Sequence, residues 1–198
     1  MIEFNKISKE PPYIVFKDFY RDSLEADQKN IEAICIASYS SENKEVHARF
    51  VNLKFVKDNK FIFFSNYNSP KSQHFCSHKQ ITALIYWNSI NVQIRMKALI
   101  EKTSKDFNKK YFFQRDIKKN ALAISSQQSQ HIESYEEVLK NYNRTFENDD
   151  LTKCPEFWGG FSFVPYYFEF WQGHESRLNK REKYELINNE WAHSFLQP

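Results

Sequence analysis

Glycine is almost absent from this chain. Three glycines occur in 198 residues, Gly159, Gly160 and Gly173, and all lie in one stretch, FWGGFSFVPYYFEFWQG. That scarcity narrows the possible folds more than any other feature. Turns elsewhere have to be made by Asn, Asp, Ser and Lys. No Gly-rich loop is available to cradle a phosphate with backbone N–H groups. Any anion has to be held by side chains such as Arg, Lys, Ser and Gln. Where glycine does remain, either φ is positive or another group approaches the backbone closely.

Hydrophobic periodicity divides the chain into strands and helices. Residues 13–29 read as a first helix, with Ile14, Phe16, Phe19 and Leu24 on one side. IEAICIASYS (31–40) is a short apolar run suited to a buried strand. VHARFVNLKFV (46–56) alternates in both parities: Val46, Ala48 and Phe50 on one face, His47, Arg49, Val51, Leu53 and Phe55 on the other. KDNK closes a hairpin into FIFFS. Ser69-Pro70 marks a helix start, since Ser can cap and Pro suits the first helical position. Residues 81–87 and 91–101 are further strands. TSKD (103–106) and SYEE (134–137) resemble capping boxes before two helices. FSFVPYYFEFW, REKYELI and WAHSFL return to strands, the last two joined at NNE. Hairpin-linked strands around helical insertions predict an α+β chain, an antiparallel β-barrel with peripheral helices, in one domain over 1–198.

Composition excludes several classes. A hydrophobic content of 41% with 27% charged residues describes a globular chain. The net charge of +3 is too small to imply a nucleic-acid partner. Cys35, Cys76 and Cys154 are odd in number and form no C-x-x-C, which fits a reducing compartment. No segment approaches the ~20 apolar residues of a membrane span, so a cytoplasmic location is expected. His74 and His78 share a helix face, but no Glu stands in an H-E-x-x-H arrangement and no third ligand is evident; no metal is assigned. No G-x-S-x-G, P-loop or G-x-G-x-x-G occurs. What remains is polar residues inside apolar strands: Arg49 and Lys54 in one, Gln93 and Arg95 in another. Such positions either face solvent or line a site. With the SPK helix start and the QQS turn they would make an anion site.

Seven short motifs, in order, resemble the pyridoxamine 5′-phosphate oxidase family. FWGGF, EFWQG and RL followed by Arg181 carry the C-terminal part, and the terminal LQP resembles the family's ending. Upstream, ARFVNLK (48–54) is similar to the family's R-x-V-x-L-K, and FFSNYNSPK (63–71) to Y-T-N-x-x-S-R-K. VQIR (92–95), YFFQR (111–115) and QQS (127–129) are similar to R-Q-V-R, Y-F-x-x-R and K-Q-S. The resemblance spans about residues 14–198, with 155–198 matching the dimerisation segment. It implies an FMN-binding split barrel, a homodimer with FMN at the interface, and O2-dependent oxidation of pyridoxamine or pyridoxine 5′-phosphate to pyridoxal 5′-phosphate.

By the same resemblance, Arg49, Phe50, Val51, Lys54, Phe64, Ser65, Ser69, Lys71, Gln93, Gln128, Ser129, Trp171 and Arg181 would bind FMN. Lys54, Tyr111, Arg115, Lys119, Arg177 and Asn179 would bind the substrate. No side chain is assigned as catalytic, because the flavin carries the chemistry. Besides Phe64 and Ser65, which replace the Tyr-Thr pair, four departures from the pattern bear on binding. Pro70 stands where the family has a phosphate-binding Arg, and Val92 where it has the first Arg of R-Q-V-R. Lys119 replaces a Ser, and Asn179 a His. These departures keep two alternatives open: a family oxidoreductase acting on another, phenazine-type substrate, and a non-catalytic flavin- or vitamer-binding protein.

Overall fold

The computed structural model describes residues 1–198. Its strands are β1 (Glu3–Asn5), β2 (Ala33–Ser40), β3 (Glu45–Lys57), β4 (Lys60–Asn66), β5 (Gln80–Trp87), β6 (Val92–Lys102), β7 (Trp158–Gln172), β8 (Lys180–Ile187) and β9 (Glu190–Leu196). Its helices are α1 (Pro11–Glu25), α2 (Pro70–Ser77), α3 (Lys105–Gln114), α4 (Ile117–Ser125) and α5 (Tyr135–Asn148). One sheet runs β1-β3-β2-β5-β6-β7-β8-β9, and β4 pairs with both β3 and β7. That double pairing closes β2, β3, β4, β5, β6 and β7 into an antiparallel ring. The β8–β9 hairpin extends it beyond β7, and β1 adds a short parallel strand at β3. The architecture is the expected α+β barrel with peripheral helices. No helix is long and apolar enough to cross a membrane.

The ring closes around aromatic side chains. Phe61, Phe63, Phe161, Phe163, Phe168 and Phe170 are fully buried. Each such ring removes large apolar area from water. The α1 helix packs on them through Tyr13, Phe16 and Tyr20, which meet Phe61, Phe168 and Trp87. This corrects the predicted helix face: Ile14 and Leu24 are exposed, and the buried stripe is Pro12, Tyr13, Phe16, Tyr20 and Ser23. The helix starts at Pro11, two residues earlier than predicted, because proline suits the first turn.

Strand β3 corrects a second expectation. Its register against β4 slips between Leu53 and Phe55, so Lys54 occupies a β-bulge. The bulge breaks the alternation. Leu53 and Val56 enter the core together, while Phe55 turns outward onto Phe64, Phe107 and Tyr111. Caps also differ in detail. Ser104, not Thr103, caps α3 by accepting from Phe107 N, and Ser134 caps α5 from Glu137 N. Ser69 stands at the α2 N-cap but makes no side-chain cap bond; its hydroxyl donates to Asn66 O at 2.7 Å. Helix α4 had no individual sequence signal assigned to it, although Asp116 caps it through Lys118 N and Lys119 N.

None of the glycines has positive φ; ten other residues do, among them Asn188 and Asn189 at the β8–β9 turn. The glycines are instead places of close approach. A Cβ on Gly160 would lie 2.5 Å from Thr103 Oγ1, and one on Gly159 would collide with the Tyr67 hydroxyl and the Asn108 amide. Those groups form a network: Asn108 Nδ2 donates to Tyr67 Oη at 3.0 Å, Tyr67 Oη donates to Gly160 O at 3.0 Å, and Gly160 N donates to Asn108 Oδ1 at 2.9 Å. It ties the start of β7 to α3 and so fixes Trp158 beside the site described next.

Candidate functional site

A cavity of about 430 Å³ opens between β3, β4 and the helices that follow them. The bulged strand β3 supplies Phe50, Val51, Asn52 and Lys54, and β4 supplies Phe64 and Ser65. Lys71 comes from the first turn of α2, Tyr111 and Gln114 from α3, Arg115 and Asp116 from the α3–α4 junction, Lys119 from α4, and Gln128 from the loop after it. A smaller hollow continues from it over Phe64, Arg115, Leu122, Ser126 and Trp158.

One wall is aromatic. Phe64 stacks on Tyr111 with centroids 4.1 Å apart and on Trp158 at 5.0 Å. The Arg115 guanidinium lies over the Trp158 ring at 4.8 Å, and its NH1 donates to Asn120 Oδ1 at 3.3 Å. Stacking of this kind orients a planar cation while leaving edge donors free.

The other wall is cationic, and none of its cations forms an ion pair. Lys71 is buried, and its ammonium donates to Ser65 Oγ, Ser69 Oγ and Gln128 Oε1 at 3.0–3.2 Å, all neutral acceptors. Burial, followed by repulsion from Arg49, pulls its pKa down to about 8. Burial also lowers Lys54, helped by Lys119 and Arg115 and opposed by Glu32. Arg115 is lowered by burial as well, and burial raises Tyr111. The single acid of the lining, Asp116, accepts from Lys118 N and Lys119 N at the α4 cap. Four cations around one committed carboxylate make a site that favours an anion.

The structure brings together Phe50, Val51, Lys54, Phe64, Ser65, Lys71, Tyr111, Arg115, Lys119 and Gln128 among the predicted residues. Arg49 and Ser69 stand behind this surface. Arg49 NH1 donates to Ile36 O and Ser38 Oγ, at 3.1 and 2.7 Å, and Ser69 is fully buried under Lys71. Ser129 is turned away, in a left-handed conformation, and lines a separate groove with His131 and Arg144. The candidate histidines also diverge: His74 meets Ser38 and His47, while His78 meets Tyr39.

Gln93, Trp171 and Arg181 are not at the cavity. They form one rung across β6, β7 and β8. Arg177 is exposed with φ 59° in the loop before β8, and Asn179 Oδ1 accepts from His174 N at 3.0 Å within that loop. The cavity's Trp158 and this rung's Trp171 stand at opposite ends of β7, a strand of 15 residues. At ~3.3 Å per residue such a strand has a contour of roughly 45–50 Å. Sequence reasoning assigned no role to Asn52, Gln114, Asp116, Trp158 or Glu169. Glu169 carried a usable signal, a lone carboxylate inside an aromatic strand.

Comparison with known proteins identifies the fold and the family. A family model described as the pyridoxine 5′-phosphate oxidase C-terminal dimerisation region matches residues 158–198. A pyridoxine/pyridoxamine 5′-phosphate oxidase of Nostoc sp. is 33% identical over 191 residues, covering 94% of this chain and 88% of its own length. The corresponding oxidase of Pseudomonas syringae pv. tomato is 31% identical, with 96% and 90% covered. Among solved structures, PhzG from Burkholderia lata, in complex with tetrahydrophenazine-1-carboxylic acid, superposes with a TM-score of 0.88 at 22% identity, covering 96% of this chain and 93% of its own. A pyridoxamine 5′-phosphate oxidase-related, FMN-binding protein from Nostoc punctiforme gives 0.75 at 13% identity, with 92% and 97% covered. The fold is therefore that of the FMN-binding split barrels, and the chain belongs to the pyridoxine/pyridoxamine 5′-phosphate oxidase family.

Proposed function

We propose that this protein is an FMN-dependent oxidase that converts pyridoxamine or pyridoxine 5′-phosphate to pyridoxal 5′-phosphate with O2 as acceptor, acting as a homodimer. The observation that carries the reading is the cavity's set of cations without carboxylate partners beside a wall of stacked aromatics. Its residues fit a phosphorylated, flat cofactor. Buried Lys71 faces only neutral oxygens, so an anion would relieve the cost of its desolvated charge. Arg49 adds a second positive charge behind it.

Bound FMN would supply the hydride-accepting ring and its reoxidation by O2. The chain's own residues bind, orient and exclude water. Lys71, Ser65 and Gln128 hold the cofactor phosphate end. Phe50, Val51 and Phe64 present apolar surface. Arg115, Lys119 and Tyr111 take the substrate phosphate, with Arg115 fixed in plane by Trp158. Lys54, at the bulge, has its pKa lowered by burial and by the nearby charges of Lys119 and Arg115, and would meet both cofactor and substrate.

The separation along β7 supports the dimer. Gln93, Trp171, Arg177 and Arg181 reach a cavity most simply in a partner copy, and the region that holds the last three is the one the dimerisation model matches. The test is incubation of the FMN-loaded protein with pyridoxamine 5′-phosphate in air. Pyridoxal 5′-phosphate and peroxide are expected; bound flavin without turnover would overturn the reading. A second reading keeps the flavin and changes the substrate. Asn179 favours it, because its side chain is engaged in its own loop. Anaerobic flavin bleaching by a non-B6 substrate, with none by B6 phosphates, would select it.

A further inference from the structure

Glu169 is the only Asp or Glu among the buried residues, with 4% of its side chain exposed. It lies on the outer face of β7, opposite the core residues Phe168 and Phe170. A carboxylate stays ionised in such a place only when cations and donors surround it. Here they do. Oε1 accepts from Arg181 Nε at 3.0 Å and from Arg181 NH2 at 2.7 Å. Oε2 accepts from Arg95 NH2 and, at 3.1 Å, from the Tyr167 hydroxyl. Burial pushes the Glu169 pKa up, but the bonds from Arg95 and Arg181 outweigh it and leave the pKa lowered.

Arg181 is held at a third point as well. Its NH1 donates to Gln197 O at 2.8 Å, next to the C-terminal residue. Three of its five N–H groups are therefore committed, which fixes the plane of the guanidinium and leaves two donors for a ligand. The side chain keeps 27% of its surface exposed. It stands on the rung with Trp171 and Gln93.

Resting on the function proposed above, we infer that Glu169 is a positioning residue: it holds the Arg181 guanidinium in the orientation that meets FMN. Arg95 completes the charge balance on the far carboxylate oxygen. Glu169 touches no ligand itself and acts through Arg181.

The experiment is a double-mutant cycle on FMN affinity in the full-length protein, using Glu169→Gln, Arg181→Gln and the pair. Glu169→Gln is expected to weaken FMN by about 10-fold or more, as loss of charge-assisted bonds does. If Glu169 acts through Arg181, the pair binds FMN no more weakly than Arg181→Gln alone. Additive losses, or wild-type affinity in Glu169→Gln, would overturn the inference. Arg95→Gln separates positioning from packing. It removes one partner of Glu169 but leaves Arg181 held, so FMN affinity should change by less than about 3-fold. A loss equal to that of Glu169→Gln would overturn it too. A readout without flavin separates this inference from the proposed function. In flavin-free protein the Arg181 Nε–H should exchange slowly with water by NMR, and Glu169→Gln should abolish that protection. Failure of the wild type to bind FMN would sink the functional reading, while the exchange measurement would still decide whether Glu169 orders Arg181.

Discussion

The cavity beside β3 and the patch at the far end of β7 use the same residue types in opposite ways. In the cavity, Lys54, Lys71, Arg115 and Lys119 surround one carboxylate that is already committed to a helix cap. In the patch, Arg95 and Arg181 converge on the buried carboxylate of Glu169. The first set forms no ion pair, and under the proposed function an anion would complete it. The second satisfies itself and serves as a frame. The contrast teaches that a charged cluster is read from its partners rather than its composition: unpaired cations mark where a ligand goes, and paired ones mark what holds a donor still.

The largest expected effect breaks the ligand side of this comparison. Arg115→Ala should lower kcat/KM for pyridoxamine 5′-phosphate by roughly 100-fold, the cost of losing charge-assisted bonds to a phosphate. FMN content should stay unchanged, because the proposed function gives Arg115, stacked on Trp158, to the substrate phosphate rather than to the cofactor. Steady-state kinetics with flavin quantitation decides it, and an unaltered kcat/KM would remove Arg115 from the site. Next comes Gly159→Ala, which tests the frame under the cavity. The new methyl would strike the Tyr67 hydroxyl and the Asn108 amide, so the network tying β7 to α3 has to shift. A loss of about 2 kcal/mol is expected in denaturant unfolding. A variant as stable as wild type would mean that this network yields without cost.

The fold was legible because periodicity and turn chemistry agree. The hairpin at Asp58-Asn59 and the turn at Asn188-Asn189 use residues that tolerate positive φ, so their strands pair as read. The faces of β3 were not legible beyond Leu53, since one bulged residue reverses parity and nothing in VNLKFV marks which residue it is. The buried face of α1 was missed because Tyr13 and Tyr20, amphipathic residues, take positions that pattern alone gives to Ile14 and Leu24. Of the site, the motifs named Lys54, Lys71 and Arg115, and a departure from the family pattern named Lys119, but neither said anything of partners. Glu169 was invisible as a clamp because its two arginines arrive from different strands, 74 and 12 residues away in sequence. Nor could one chain's motif order show that Trp158 and Trp171 sit at opposite ends of β7.

The smallest expected effect sharpens the comparison at Lys71. In the flavin-free protein its pKa falls from 10.5 to about 8, chiefly through burial. A lysine with a lowered folded pKa opposes folding while it is charged. Between about pH 8 and 10.5 the unfolded chain still holds the proton that the folded chain has released. The folded state therefore gains stability from this group as pH rises through that window. Lys71→Met removes the buried charge, so the flavin-free variant should melt higher than wild type at pH 7, and the gap should close toward pH 10.5. Under the proposed function FMN would reverse the sign, because a phosphate beside Lys71 would favour the charged ammonium. Wild-type FMN affinity should fall as pH rises above about 8, whereas Lys71→Met should bind about 10-fold more weakly at pH 7 and lack that step. Melting curves and flavin titrations from pH 6 to about 10.5 measure both. A variant less stable than wild type at pH 7 would mean that the three neutral oxygens around Lys71 already compensate its charge, and the cavity would then resemble the Glu169 patch rather than oppose it.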